Sequence, residues 1–260
     1  MHQRYVSQEL THFVGRGYRD KPDMLNSQYK LLLKVVREGE LRAGYVVPGT
    51  EALSKPVPFL HRHGSKSSAL ITTPTGSLEE GTLLTGSAVC FCDIPVEDLG
   101  IHMAKYSCFG LAFGKDYLIG HGATPVFYVA KSTVPSAKRD ETLGSIFETI
   151  GQDLVAAAQD LMRAGKDDPA GSNRKTFWAI QNCSRHILQL IKLFDPGLPD
   201  DSEENTYMER EWRTLRNVPF GLDDIHRLIL PEAFGRRLRD DLPDYTGQIT
   251  FAETVGKTAK

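Results

Sequence analysis

The segment YMEREWRTLRNVPF, from Tyr207 to Phe220, sets Glu209 and Glu211 one residue apart and interleaves them with Arg210, Trp212 and Arg213. On a strand, the period of two places Tyr207, Glu209, Glu211 and Arg213 on one face, with Met208, Arg210, Trp212 and Thr214 on the other. Two carboxylates in one cleft either serve chemistry or are relieved by cations, and Arg210 and Arg213 are available for the second role. Two further candidates are His12 in ELTHF and Tyr106 in HMAKYSCFG. Glu211 beside aromatic groups could stabilise a developing positive charge, as an oxocarbenium-like sugar carbon requires, with His12 holding a ribose hydroxyl and Tyr106 stacked on an aromatic base. The plain alternatives are an ion pair between Glu211 and Arg213 or another cation, a satisfied structural His12, and a core or edge Tyr106. Arg16 carries a guanidinium that matches phosphate oxygens in a bidentate fork, or else caps or pairs at the surface.

Such groups need elements to hold them. A chain of 260 residues with 40% apolar and 25% charged residues reads as a globular protein with room for one sizeable domain or two small ones. Tyr29, Leu32, Leu33, Val35 and Val36 form a helical stripe that Gly39 stops. Residues 42 to 85, rich in Gly, Ser, Thr and Pro, read as short strands and a loop over a cleft. AVCFCDIP reads as a buried strand, PVEDLGIHMAKY as a short helix, and FGLAF and PVFYVAK as two further strands. From Leu143 to Gly165 a long amphipathic helix is expected, with Ile146, Ile150, Leu154 and Leu161 near one face. KTFWAIQNCSRHILQLIKLF repeats the pattern, with Phe177, Ile180, Ser184, Ile187 and Ile191, so the pair reads as a helical hairpin inserted at 140–198. LDDIHRLIL then predicts a short helix and a strand, and EAFGRRLRDDL a charged helical piece.

Composition narrows the partners. A formal charge of -2 argues against coating a nucleic acid by bulk electrostatics, while leaving room for a local basic patch. RRLRD and KTAK supply only scattered cations, without stacking aromatics between them. Cys90, Cys92, Cys108 and Cys183 lack metal-site spacing and read as small apolar residues of a reduced, cytoplasmic chain. His61 and His63 in HRH lack a third ligand at a diagnostic spacing, so no metal is expected. His102, four residues before Tyr106, shares its helical face and would orient the tyrosine or complete a cleft wall. The opening MHQRYVSQELTHF has no signal-peptide core, and no apolar stretch is long enough to span a membrane.

Taken in order, ELTHFVGR, REGEL, CFCDIP, LGIHMAKYSCFGLAF, GATPVFYVAK, EREWRTL and DIHRLILP resemble the Gi-type abortive-infection proteins of bacterial phage defence, over most of the chain between His12 and Pro231. That family is commonly described as the antitoxin half of a two-gene system. The same motif order is similar to ADP-ribosyltransferases of the His-Tyr-Glu sort, including toxins that modify DNA or RNA. This second resemblance implies one α+β domain over 1–260 with an ADP-ribosyltransferase-like split, mostly antiparallel β core. It implies NAD as co-substrate, with His12 on the adenosine ribose and Tyr106 on nicotinamide, Tyr117 and Tyr128 being its competitors. Glu211 would engage the nicotinamide ribose and Glu209 the acceptor, while Arg16 would meet the pyrophosphate. The reaction implied is NAD-dependent ADP-ribosyl transfer by a defence toxin onto RNA or DNA, with a neighbouring antitoxin or regulatory protein as partner. The alternative is that the chain is itself the non-enzymatic antitoxin or regulatory protein-binding component. A middle Ser-Thr-Ser motif is missing, so the Arg-Ser-Glu class fits poorly, and no Rossmann or Walker fingerprint is present.

Overall fold

Helix α1 (Met24–Glu38) forms where apolar residues recur at helical spacing, and Tyr29, Leu32, Leu33 and Val36 are buried along its inner stripe. It ends at Gly39, whose φ of 64° is left-handed and whose N–H donates to the Val35 and Val36 carbonyls. A Cβ at Gly39 would stand 2.8 Å from the Phe220 carbonyl oxygen, so close approach also demands glycine there. The computed structural model describes residues 7–43, 88–133, 142–164, 172–202 and 204–254. Most of the Gly- and Ser-rich stretch expected to cover a cleft, with His61 and His63, lies outside the described residues.

Seven strands make one mixed sheet in the order β11, β10, β4, β1, β3, β8, β5. They are β1 (Glu9–Phe13), β3 (Val89–Cys92), β4 (Gly110–Gly114), β5 (Thr124–Pro125), β8 (Glu211–Thr214), β10 (Ile225–Leu230) and β11 (Gln248–Phe251). All neighbours pair antiparallel except β10 and β11, which are parallel. The fold is thus mixed α and β around a large mixed sheet. A two-stranded ribbon of β2 (Glu40–Leu41) and β9 (Val218–Pro219) flanks it.

Register divides the sheet into two unlike faces, because directly paired residues point the same way. Leu10 pairs with Phe113, His12 with Leu111 and Phe91 with Trp212; this face joins α1 in the main core with Tyr29, Leu32 and Val36. Thr11 pairs with Cys92 and Cys92 with Glu211, while Cys90 pairs with Arg213. This second face receives Leu99 and Met103, at the start and within helix α2 (Gly100–Lys105), against Cys92, Ile94 and Ile229. Short helices α3 (Lys115–Gly120) and α6 (Gly235–Asp241) complete the frame.

The inserted hairpin is present as α4 (Leu143–Ala164) and α5 (Ser172–His186), but the second helix is shorter than its apolar pattern suggests. Ile191–Phe194, expected as the end of that helix, is strand β7, and it pairs in parallel with β6 (Phe127–Ala130). The apolar run ILQLIKLF suits either a helix or a buried strand, and pairing with β6 decides it. One face of this small sheet, carrying Val129, Ile191 and Leu193, packs against Phe147, Leu154 and Cys183 of the hairpin. The expected stripe is thereby corrected at Ile150 and Ile187, which are both exposed. The other face presents Tyr128, Lys192 and Phe194 toward β8 and the turn before it.

Candidate functional site: a buried ionic cluster

Glu209 and Glu211 reach one place by different routes. Glu211 opens β8, whereas Glu209 ends a 3-10 turn (Thr206–Glu209), and Arg210 between them takes the left-handed backbone, φ 42°. The single strand expected from Tyr207 onward is therefore corrected: the period of two begins only at Glu211. Both carboxylates nonetheless turn to the same ammonium. Lys192 on β7 donates to Glu209 Oε2 and, at 2.5 Å, to Glu211 Oε2. Arg213, two residues along and on the same face, donates from Nε to Glu211 Oε1 at 2.6 Å and from a terminal nitrogen to Oε2 at 3.1 Å. Its other terminal nitrogen donates to the Gln189 carbonyl. Lys105 on α2 donates to Glu209 Oε1 at 2.7 Å. Every carboxylate oxygen of the pair is thus engaged by a cation. The Glu211 backbone N–H donates to the Tyr128 hydroxyl at 2.7 Å, which ties β6 to β8.

Burial makes this arrangement demanding, since a desolvated charge is costly unless paired and hydrogen-bonded. Burial alone would raise the Glu211 carboxyl, but Lys192 and Arg213 outweigh it and hold the group at about 2, against an ordinary 4.5. Glu209 follows the same balance, with burial opposed by Lys192 and Lys105, and is also lowered. Burial would strip the Lys192 proton, yet Glu211 and Glu209 hold it on more firmly than in water. The carboxylates are therefore ionised, and Lys192 and Arg213 are charged, at neutral pH. Burial, reinforced by Glu209 and Glu211, raises the Tyr106 phenol, which stays protonated.

The candidates divide between the two faces. Tyr106 lies with the cluster, its ring stacked on Phe13 at 6.2 Å, and Arg16 stands over that ring with its guanidinium carbon 5.4 Å from the centroid. His12 does not join them. It shares the opposite face with Phe91, 5.8 Å away ring to ring, and its Nδ1 meets the Cys90 carbonyl at 2.8 Å, so it reads as a half-buried structural histidine. Burial lowers its pKa and keeps the ring neutral. Tyr128 sits beside Glu211, while Tyr117 packs on Phe113 and donates to the Pro219 carbonyl at 2.5 Å, away from the carboxylates. Cys90 and Cys92 share the cluster's face, registered with Arg213 and Glu211. Lys192 was missed. Its signal was a lone lysine inside LIKLF, because a cation in a buried apolar run requires a buried anion. Lys105 carried no comparable sign.

Among the described residues no group of His, Cys, Asp and Glu could hold a metal ion, and no helix is long and apolar enough to cross a membrane. Residues 81–235, more than half of the chain, match the family model described as "Putative abortive phage resistance protein AbiGi, antitoxin". The chain belongs to the AbiGi family. No curated protein and no solved structure matches it. The AbiGi span holds all the charged members of the cluster, Lys105, Lys192, Glu209, Glu211 and Arg213, whereas β1 with His12 and the Arg16 turn precede it. The family's antitoxin description overturns the expectation of an ADP-ribosyltransferase toxin and agrees with the alternative, an antitoxin component of phage defence.

Proposed function

We propose that this chain is the antitoxin of a phage-defence pair and restrains a partner toxin by binding it as a protein. The observation that carries the reading is the antitoxin family assignment over the span containing the ionic cluster. Geometry supports it from the side of chemistry. Glu209 and Glu211 are saturated by Lys105, Lys192 and Arg213, so their present task is to lock β7, β8 and α2 together beneath a surface. Locked elements suit recognition, because a surface that is already ordered loses less entropy on binding.

The test is co-expression with the products of the adjacent genes. One of them should arrest growth when produced alone, recover when this chain is present, and co-purify with it in a defined ratio. Relief of the arrest without a physical complex would exclude restraint by binding, and absence of any relief would remove the antitoxin role itself.

A further inference from the structure

We propose that the notch formed by Arg16, Tyr106 and Lys105 is where an acidic side chain of the partner toxin docks. The inference rests on the antitoxin reading and names the chemistry by which that partner is held. Three cations of the cluster, Lys105, Lys192 and Arg213, face two carboxylates, Glu209 and Glu211, among the described residues. Asp93 does not restore the balance, because it is paired with Lys115 at 2.9 Å. One positive charge is therefore in excess, and it emerges at Lys105, whose side chain is 16% exposed against 5% for Lys192.

At that point a second cation converges on the same ring. The Arg16 guanidinium carbon lies 5.4 Å and the Lys105 ammonium 5.7 Å from the Tyr106 centroid, and Arg16 has no carboxylate within ion-pair distance among the described residues. Two cations over one aromatic ring repel each other, and the ring returns only a modest attraction to each. Arg19 adds a third, donating to the Lys105 carbonyl at 2.9 Å and fixing the end of α2. Beneath lies His102, 5% exposed and one turn before Lys105, beside the Glu209 backbone.

A carboxylate suits the two cations over the Tyr106 ring. It relieves the Arg16–Lys105 repulsion, matches the guanidinium fork, and rests on a flat floor formed by Tyr106 stacked on Phe13. Arginine and tyrosine are also among the residue types that dominate binding energy at interfaces. A nucleic-acid phosphate would meet the same cations, but a chain with net charge -2 lacks the field that draws in a polyanion.

Arg16 is exposed and lies outside the buried ion pairs, so Arg16→Glu tests the notch without opening the core. With the purified toxin, R16E should bind at least about tenfold more weakly than wild type while melting at the same temperature, as expected for a desolvated charge contact. Exchanging one acidic toxin residue for lysine should restore R16E binding. Undiminished toxin binding by R16E, or a loss confined to RNA or DNA binding, would overturn the inference and leave the antitoxin reading standing. Failure of the wild-type chain to bind the toxin would overturn both.

Discussion

The two faces of the central sheet are closed by opposite means. Against α1, Leu10, Leu111, Phe113, Tyr29 and Leu32 are fully buried in one hydrophobic cluster, with the Tyr29 hydroxyl donating to Asp241 at its edge. Across the same strands, Glu211 and Arg213 are about as deeply buried, yet they close the β3–β8 end of the sheet with charge. Hydrocarbon burial is proportional to area and forgiving in detail, so each residue contributes on its own. A buried ionic set is stable only as a set, because removing one member leaves another charged and unpaired. The first face is a sum and the second a balance.

Lys192 is where that contrast breaks most visibly. Lys192→Met keeps the side chain's length but leaves Glu209 and Glu211 facing each other without their shared cation, and should cost about 3–5 kcal/mol in denaturant unfolding. Leu32→Ala on the apolar face should cost about 2–5 kcal/mol through transfer and cavity terms. The two differ in rescue. Adding Glu209→Gln and Glu211→Gln to K192M should recover part of the loss, whereas added to L32A the same pair should only destabilise further. Equal behaviour in both backgrounds would mean that the second face is also a sum.

The same contrast explains what could be read in advance. α1, β3, β4, α4 and β10 follow from local period and from punctuation such as Gly39, because each buries one apolar side against whatever lies nearby. The cluster does not follow. It depends on the sheet order β1–β3–β8, on the left-handed Arg210 that swings Glu209 back, and on β7, whose run LIKLF gives no period long enough to separate strand from helix. Glu209, Glu211, Arg16 and Tyr106 can be named by residue type, but the separation of His12 onto the other face is a consequence of register between distant strands. Register is a non-local property, and no segment carries it alone.

Acid should sharpen the comparison at intermediate cost. The Glu211 carboxyl is lowered in the folded chain, so its contribution is fully present above its ordinary value of 4.5 and is lost as the pH falls toward about 2. Glu211→Gln should therefore cost about 2–3 kcal/mol at pH 7, the scale of hydrogen bonds to charged groups. Its deficit against wild type should shrink steadily below pH 4.5, read by urea unfolding at matched pH. The deficit of L32A should stay constant over the same range. A constant E211Q deficit down to pH 3 would show that Lys192 and Arg213 do not hold the carboxylate in its charged form.

The smallest effect separates the two halves of the second face, since His102 lies between the ionic cluster and the apolar patch of Leu99 and Met103. Burial lowers its pKa, with Glu209 opposing and Lys105 and Lys192 assisting, so the folded ring resists protonation. The unfolded chain takes up that proton near the ordinary histidine value of 6.5, and stability present above this pH is lost as the pH falls below it. His102→Met replaces a buried imidazole beside the Glu209 backbone with an adaptable, helix-compatible side chain. It should stabilise the protein by about 1 kcal/mol at pH 7.5, and the advantage should grow by pH 5.5 because the variant has no proton to refuse. Thermal unfolding at both pH values measures this directly. A destabilised H102M at pH 7.5 would show that the ring is satisfied where it stands, and that the second face is balanced without an incoming group.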